Sequence, residues 1–262
     1  MKVVAIANQK GGVGKTTLAF HLAWGLFEKG ARVLVVDFDP QGNLSLSFGH
    51  RRSCTAGALF SDEKVEANLQ TVPASAEIPA DKFSIVTSDR ELALWDGDRA
   101  KFGRLRRGLR QVAEKWDWVV IDCPPSLGTL TLNSLAAADY VLVPSEPTLY
   151  SVMGMRHLRN TIEEAQEELS ARAQIVGIVI NAISRTLVAS DVIATLEKTY
   201  PGKVFRSMVP RSVRVEEALQ HQLPVWRYEA ENSAGLALKA VIQEFLTRIE
   251  KGEEVKNHGE AA

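Results

Sequence analysis

Residues 8–17 read NQKGGVGKTT, a glycine-rich run with two lysines. Glycines at 11, 12 and 14 allow the backbone to curl so that successive N–H groups point at phosphate oxygens, and a following helix adds its positive N-terminal end. Lys15 would then reach the β and γ phosphates, and the Thr16 hydroxyl would ligate Mg²⁺. The run therefore predicts a nucleotide-binding phosphate loop, whose expected contacts are Gly11, Gly12, Val13, Gly14, Lys15, Thr16 and Thr17.

The second lysine of this run, Lys10, lies close to Lys15 in the chain, and Gln9 occupies the place of the first glycine in the generic phosphate-loop pattern. Two cations this close repel each other unless a dense negative charge lies between them. A triphosphate is such a charge. The alternative is a glycine-rich turn with two solvated lysines, which the surrounding strand and helix patterns disfavour.

Two acidic clusters follow apolar runs further along the chain. Residues 33–36 are followed by DFDPQGN (37–43), and residues 118–121 are followed by DCPPS (122–126). Ligands bind at the carboxyl ends of the strands in an open parallel sheet, so three strands would bring the loop and both clusters to one crevice. An aspartate after a single strand is more often a turn former or a helix cap. Together with the loop, however, the clusters favour a nucleotide site.

Apolar runs and helical patterns alternate along the chain, and the apolar runs lie at Val3, Val33, Ile85, Val119, Val141 and Ile175. Helical patterns include Thr16 to Lys29 and Arg156 to Leu169. The alternation is typical of βαβ units and predicts an α/β fold with a mainly parallel, twisted sheet and helices on both faces. Gly30 stands where a helix C-cap glycine is expected.

The composition predicts one domain. The chain has 262 residues, of which 45% are hydrophobic and 24% charged, enough for one α/β domain with a buried central sheet. We expect this domain to span residues 1–250 and a polar tail to span 251–262. The stretch Ser45 to Pro79 contains only short helical sequence patterns, and we interpret it as an ordered excursion over the nucleotide crevice.

The segments NQKGGVGKTT, VVDFDPQGN and VVIDCPPS, in this order, resemble the motifs of the ParA/Soj/MinD family of deviant Walker A ATPases. The form DPQGN is nearer to ParA/Soj than to MinD. Residues 209–218 and 223–225 resemble the family's segment after the nucleotide site, so the resemblance extends from residue 2 to about residue 250. It implies a P-loop NTPase fold, ATP as the substrate and Mg²⁺ as the cofactor.

The resemblance also implies the catalytic residues. Lys10 is similar to the signature lysine that reaches the partner subunit's phosphates in an ATP-bound dimer, and Lys15 is similar to the ordinary phosphate lysine. Asp39 would orient or deprotonate the attacking water. An ordinary carboxylate is a poor base for water and the motifs contain no histidine, so we expect slow hydrolysis that depends on dimerisation.

The resemblance also implies which residues contact Mg²⁺ and the adenine. Thr16 would ligate Mg²⁺, and Asp37 and Asp122 would support the metal through water. Asn181 and Pro210 match positions near the adenine, although an asparagine after a strand is commonly a turn former.

Any contact with nucleic acid must come from a local patch, because the net charge is only -1. One candidate is the basic run Arg99 to Lys115, which contains seven Lys or Arg residues but is usually the solvated face of a helix. The other is implied by the resemblance: Arg185, Arg211 and Arg214 match positions at which ParA/Soj proteins contact DNA. The expected partners are a second copy of the chain in the presence of ATP, nonspecific double-stranded DNA, and a ParB-like or other cargo adaptor.

Membrane and redox functions are disfavoured by the sequence. No apolar run is long enough to span a bilayer, no signal peptide is recognisable, and the tail lacks the basic amphipathic helix of MinD-like proteins, so we expect a cytoplasmic, nucleoid-associated protein without stable membrane association. The apolar stripe of the helix Leu236 to Ile249 is expected to pack against the domain. Cys54 and Cys123 do not form a cluster motif, and we interpret Cys123 as a buried small residue.

Three other functions remain as alternatives. They are a MinD-like membrane-associated positioning ATPase, a DNA-binding regulator that does not need hydrolysis, and a metal or electron-transfer ATPase.

Overall fold

A seven-stranded sheet forms the centre of the protein in the computed structural model, which describes residues 1–50, 56–57, 71–88, 90–183 and 186–259. The strands are β1 (Lys2–Ile6), β2 (Val33–Asp37), β3 (Val72–Pro73), β4 (Phe83–Val86), β5 (Trp118–Asp122), β6 (Tyr140–Ser145) and β7 (Gln174–Ile180). Their order is β3-β4-β2-β5-β1-β6-β7, with β3 antiparallel to β4 and all other neighbours parallel. The predicted α/β fold with a mainly parallel sheet is confirmed, and β3 is an addition that the sequence did not indicate.

Helices connect the strands and cover both faces of the sheet. They are α1 (Lys15–Glu28), α2 (Asn43–Ser47), α3 (Leu92–Trp95), α4 (Arg104–Arg110), α5 (Thr129–Ala137), α6 (Ser151–Leu169), α7 (Leu187–Thr199), α8 (Val213–Gln220), α9 (Val225–Tyr228) and α10 (Ser233–Gly259). Two of the predicted helices were too short: α6 begins before Arg156, and α10 extends on both sides of the predicted helix Leu236 to Ile249. Most of the excursion Ser45 to Pro79 lies outside the described residues.

The end of helix α1 is capped by Gly30, the glycine that the sequence predicted as a helix C-cap. Gly30 has φ +90°, and its N–H donates to the carbonyl of Phe27 while the N–H of Ala31 donates to that of Leu26. These two bonds close a Schellman-type cap, in which a left-handed residue is required and glycine is favoured. The chain then turns directly into β2.

The core lies on both faces of the sheet because successive strand residues point in opposite directions. In β1, Val3 and Ala5 belong to one buried apolar cluster, and Val4 and Ile6 belong to the other. No described helix combines the length and the apolar character needed to span a membrane.

The long helix α10 packs one apolar stripe against the second cluster, as predicted, and the stripe consists of Leu238, Val241, Ile242, Phe245, Leu246 and Ile249. Phe245 is fully buried, and its ring centroid lies 5.7 Å from that of Trp118. The helix is therefore part of the domain core.

Replacing Phe245 with alanine is expected to lower the free energy of unfolding by about 3–5 kcal/mol, because a buried aromatic ring is lost and a cavity remains. Urea denaturation of the nucleotide-free protein measures this. Leu236→Ala is the matched control on the same helix: its side chain is 55% exposed, and we expect a change within about 0.5 kcal/mol. Equal losses in the two variants would contradict the packing of α10.

Candidate active site

The predicted loop and both acidic clusters lie together at the carboxyl edge of the sheet. The glycine-rich loop follows β1, Asp37 is the last residue of β2, and Asp122 is the last residue of β5. Strand β5 lies between the other two, and its Asp122 is the register partner of both Asp37 and Ile6. The topology therefore brings the phosphate loop and the two carboxylates to one crevice.

The loop has the conformation that its glycines allow. Gly12 and Gly14 have φ +76° and +89°, in the left-handed region where a side chain is strained. A Cβ atom on Gly14 would lie 2.1 Å from Nδ2 of Asn181, so the position has no room for a side chain. Nδ2 of Asn181 also donates to the carbonyl of Val13 (2.9 Å). Asn181, which directly follows β7, thus packs against the loop and holds it by a hydrogen bond.

Lys15 lies beneath the loop and is only 7% exposed. Its Nζ donates to the carbonyl of Lys10 across the loop at 3.1 Å. Burial lowers the pKa of Lys15, and the nearby charges of Asp122 and Asp39 oppose this shift. A bound polyanion would favour the charged form, since an opposite charge offsets the desolvation of a buried ammonium group.

The two strand-end carboxylates are fully buried and differ in their partners. Oδ2 of Asp37 accepts from the N–H (2.7 Å) and the hydroxyl (2.6 Å) of Ser45, and its Oδ1 accepts from the N–H of Asp39. Oδ2 of Asp122 accepts from the Thr16 hydroxyl at 2.7 Å. Burial raises the pKa of Asp37 to about 6, and burial together with the charge of Asp37 raises the pKa of Asp122 well above its usual range.

These residues fit a magnesium ion. Oδ1 of Asp122 is buried without a hydrogen-bond partner among the described residues, beside the Thr16 hydroxyl and a second carboxylate, Asp37. Hard cations take oxygen ligands, and Mg²⁺ is usually held by one or two protein groups together with substrate phosphates and water. In the described part of the chain, no three His, Cys, Asp or Glu side chains form a group that could hold a metal.

Asp39 is also buried at this edge. Its Oδ1 accepts from the N–H of Gln41 at 2.9 Å, and its carbonyl accepts from the Ser88 hydroxyl at 2.5 Å. The Ser88 N–H donates to the Ser45 hydroxyl, which in turn donates to Asp37. Two serines that no motif indicated therefore link the ends of β2 and β4 and fix both aspartates.

A cavity of about 430 Å³ opens beside the loop, lined by Gln9, Lys10 and Val13 together with residues 125–127, Tyr150 and Gly154. Pro210, one of the two residues predicted near the adenine, forms a β-bridge with Ile183. A larger cavity of about 740 Å³ lies along α10 and β7, and none of the predicted site residues lines it. Because the smaller cavity is the one lined by residues of the phosphate loop, we take it as part of the candidate nucleotide site.

The arginines predicted to contact DNA have carboxylate partners where they are described. Nη1 of Arg214 donates to Glu217 at 2.6 Å, and its Nε lies 3.4 Å from Glu229. Nη2 of Arg211 lies 3.6 Å from Oε1 of Glu146, and this arginine is 79% exposed. Arg185 lies outside the described residues.

The basic run 99–115 forms α4 and a 3-10 turn on each side of it, Arg99–Lys101 and Ala113–Lys115, and several of its cations have partners nearby. Arg99 lies 3.7 Å from the carboxylate of Glu164, and Nζ of Lys101 lies 5.2 Å from the ring centroid of Trp95.

Cys54 lies outside the described residues, and Cys123 is fully buried in the core beside Asp122. Burial raises the pKa of the Cys123 thiol to about 12, so the thiol is neutral at physiological pH. The interpretation of Cys123 as a buried small residue is confirmed.

Asp122→Asn is expected to stabilise the metal-free protein while reducing Mg²⁺-dependent hydrolysis by about 100-fold. A carboxyl whose folded pKa is raised destabilises the folded state at pH values above its ordinary pKa, so removing the charge raises the midpoint of thermal denaturation at pH 7.5 in EDTA. Asp117→Asn is the control, and we expect it to lower the midpoint of thermal denaturation. Arg32 lowers the pKa of Asp117 to about 2, so the charge of this carboxylate stabilises the folded state. A lower midpoint for Asp122→Asn would contradict the destabilising effect assigned to this buried charge.

The fold and the loop define the class: an α/β protein of the P-loop NTPase type. The family model described as an AAA domain matches residues 1–175. Sporulation initiation inhibitor protein Soj of Bacillus subtilis is 36% identical over an alignment of 242 residues, and the match covers 87% of this chain and 91% of the relative. Chromosome partitioning protein ParA of Myxococcus xanthus is 34% identical over 261 residues, covering 94% of this chain and 88% of the relative. The chain belongs to the ParA/Soj family of ATPases.

Solved structures agree with the fold. Cobyrinic acid a,c-diamide synthase of Mycobacterium smegmatis, with bound ATP analog and magnesium, is 29% identical and has a TM-score of 0.78, with 96% of this chain and 97% of that chain covered. The McdA–ATP complex of Cyanothece has a TM-score of 0.81 at 24% identity, covering 94% of this chain and 96% of that chain. The ligands of the first structure are those that the sequence predicts here.

Proposed function

We propose that the protein is a partition ATPase in which ATP acts as a switch on DNA affinity. ATP closes two copies face to face, the dimer binds nonspecific double-stranded DNA of the nucleoid, and hydrolysis releases it. A ParB-like or other cargo adaptor stimulates hydrolysis and thereby couples the cycle to segregation or positioning. One observation supports this most: the loop combines a buried lysine, Lys15, with a second lysine at its rim, Lys10, which is 40% exposed.

The nucleotide binds with its phosphates on the N–H groups of residues 11–17 and on Lys15. Thr16, Asp37 and Asp122 hold Mg²⁺ directly or through water. When bound, Mg²⁺ neutralises charge on the transferred phosphoryl group. Asn181 and Pro210 lie on the adenine side.

Hydrolysis depends mainly on position and charge, because phosphoryl transfer needs little covalent help from the protein. Asp39 orients the attacking water. Lys10 of one subunit stabilises the developing negative charge on the partner's nucleotide. Neither subunit is complete without the other, so turnover is slow for the monomer.

DNA binds through Arg185, Arg211 and Arg214. The present contacts of Arg211 and Arg214 are ion pairs between an exposed arginine and a partly buried carboxylate at the surface, and surface pairs are individually weak, so a DNA phosphate can replace the carboxylate. Phosphate contacts carry no sequence information and release counterions, which makes the affinity independent of sequence and sensitive to salt.

Replacing Arg185 and Arg214 with glutamate is expected to reduce ATP-dependent DNA binding by at least about 100-fold, since two phosphate contacts become repulsive. Dimerisation with ATP remains. Fluorescence anisotropy with a duplex of arbitrary sequence measures the first, and sedimentation velocity measures the second. Arg159→Glu is the control, because Arg159 is an exposed arginine paired with Glu163 on α6 and is not in the predicted surface. DNA binding at wild-type strength in the double variant would refute this surface.

A further inference from the structure

Three arginines line one cavity at the edge of the sheet opposite the phosphate loop. Arg106 and Arg110 lie one turn apart on α4, and Arg172 lies between α6 and β7. The cavity has a volume of about 150 Å³ and is also lined by Val3 and Asp139, which lie near the starts of β1 and β6. Since β1, β6 and β7 are parallel, their starts share one edge of the sheet, and the nucleotide crevice lies at the other. The cavity is therefore separate from the candidate active site.

The charges around this cavity are not balanced. None of the ion pairs between described residues includes Arg106, Arg110 or Arg172. Nη1 of Arg106 donates to a backbone carbonyl at the end of α6 at 3.1 Å. Asp139 is the one acidic residue among those that line the cavity, and its Oδ2 accepts from a backbone N–H of β1 at 2.9 Å. The lining side chains thus carry a net charge of +2.

The guanidinium groups also act on one another. Burial and the charges of Arg110 and Arg172 lower the pKa of Arg106. Like charges that line one cavity repel each other, and an anion between them replaces this repulsion by attraction. The arrangement is therefore one that a bound anion stabilises.

The size of the cavity suits a small anion. One water molecule takes up about 30 Å³ of the liquid, so the cavity has room for roughly five waters. A phosphate group fills about this space, whereas pockets for larger organic ligands have at least about 300 Å³. Leu109 and residues 136–138 contribute apolar walls, and the exposed side chains of Arg110 and Arg172 are accessible from solvent.

We propose that this cavity binds a phosphate dianion, either free phosphate or the terminal group of a small phosphate monoester. Guanidinium groups match the oxygens of phosphate and bind them with two parallel hydrogen bonds. A phosphate monoester carries close to two negative charges at neutral pH and so balances the lining side chains. A carboxylate or a DNA phosphodiester carries a single negative charge and leaves part of the positive charge unbalanced. The site lies away from the phosphate loop, and the proposal does not depend on the proposed partition function.

The double variant Arg110→Gln, Arg172→Gln tests the proposal. It removes two charges from exposed side chains and keeps the hydrogen bond between Arg106 and the carbonyl of Ser170. The full chain is first loaded with Mg²⁺ and a slowly hydrolysed ATP analogue, so that the phosphate loop is occupied. Inorganic phosphate is then titrated against chloride at equal ionic strength, and the midpoint of thermal denaturation is measured.

For the wild type we expect a dissociation constant on the order of 1 mM, because the contacts are charge-assisted but partly exposed to solvent. Phosphate at about 10 mM then raises the midpoint by roughly 3–6 °C. The double variant binds at least about 10-fold more weakly, and its midpoint rises by roughly 1–2 °C. Phosphate also stabilises proteins in general because it is excluded from their surface, so the difference between the two proteins is the measure.

Two further variants serve as comparisons. Arg107→Gln is the matched control, because Arg107 is an exposed arginine of the same helix that does not line the cavity, and we expect it to gain as much from phosphate as the wild type. Arg110→Gln alone is expected to gain an intermediate amount, so the proposal stays testable if the double variant does not fold.

Phosphoserine in place of phosphate distinguishes the two sources of the anion. A gain at least equal to that with phosphate assigns the site to a monoester, and a gain with phosphate alone assigns it to the free ion. Equal gains from phosphate in the wild type and in the double variant would overturn the proposal. If in addition the double variant binds a DNA duplex more weakly than the wild type, the arginines belong to a DNA surface instead.

Discussion

Asp39→Ala is expected to lower the rate of ATP hydrolysis by at least about 100-fold, because positioning or deprotonation of the attacking water by a side chain contributes at least this much. ATP binding is retained, since Asp39 is not among the residues proposed to hold the phosphates or Mg²⁺. Dimers therefore accumulate with ATP and remain on DNA. Phosphate release under single-turnover conditions and sedimentation velocity measure the two effects.

The matched variant is Asp39→Asn. An asparagine Oδ1 can still accept from the N–H of Gln41, so the turn after β2 is kept while the charge is lost. We expect Asp39→Asn to be as inactive as Asp39→Ala and to unfold at the wild-type temperature. Hydrolysis by Asp39→Asn at the wild-type rate would show that another group activates the water.

Gly14→Ala is expected to weaken ATP binding by at least about 100-fold, because it combines backbone strain of about 1–2 kcal/mol with a steric clash. Gly14 has φ +89°, and the added Cβ would lie 2.1 Å from Nδ2 of Asn181. The loop must then shift, and its N–H groups no longer converge on the phosphates. Fluorescence of a labelled ATP analogue measures the affinity.

Two further variants distinguish strain from clash. Gly11→Ala is the control, since Gly11 has no positive φ and a Cβ there meets no atom within 4 Å. We expect it to weaken ATP binding much less than Gly14→Ala does. Asn181→Ala added to Gly14→Ala removes the clash and leaves the φ strain, so it restores binding only in part. Wild-type affinity in Gly14→Ala alone would contradict the described loop.

The parts of the fold that have local signals could be predicted from the sequence. The strands β1, β2 and β4–β7 coincide with the six apolar runs because a parallel strand buried on both faces has a continuous apolar sequence. The loop and Asp37 and Asp122 could be placed together because glycine spacing and strand ends are local features. In contrast, β3 is only two residues long and has no such signal.

Features that depend on tertiary contacts could not be predicted. The start of α6 was missed because Gly154 weakens the helical pattern near Ser151. The last turns of α10 carry no apolar stripe, yet Glu253 in them is held by Lys2 and by the hydroxyl of Tyr140, which are distant in the chain.

The polar network of the site could not be predicted from the sequence for the same reason. Ser45 in α2 and Ser88 after β4 fix the aspartates through contacts between separate elements, and neither serine belongs to a motif. Glu146, whose carboxylate lies 3.1 Å from Nζ of Lys10, could have been predicted as a residue of the site. It directly follows β6 at the same edge of the sheet as the other carboxylates. The rule that ligands bind at strand ends applies to it as well.

The central claim is that ATP controls the affinity for DNA. The most direct test is binding to a nonspecific duplex without nucleotide and with ADP, ATP or a slowly hydrolysed ATP analogue, at two salt concentrations. We expect binding only with ATP or its analogue, and a steep loss of affinity at the higher salt concentration. A protein that hydrolyses ATP but binds DNA equally in all four states, or in none, would contradict the proposed switch.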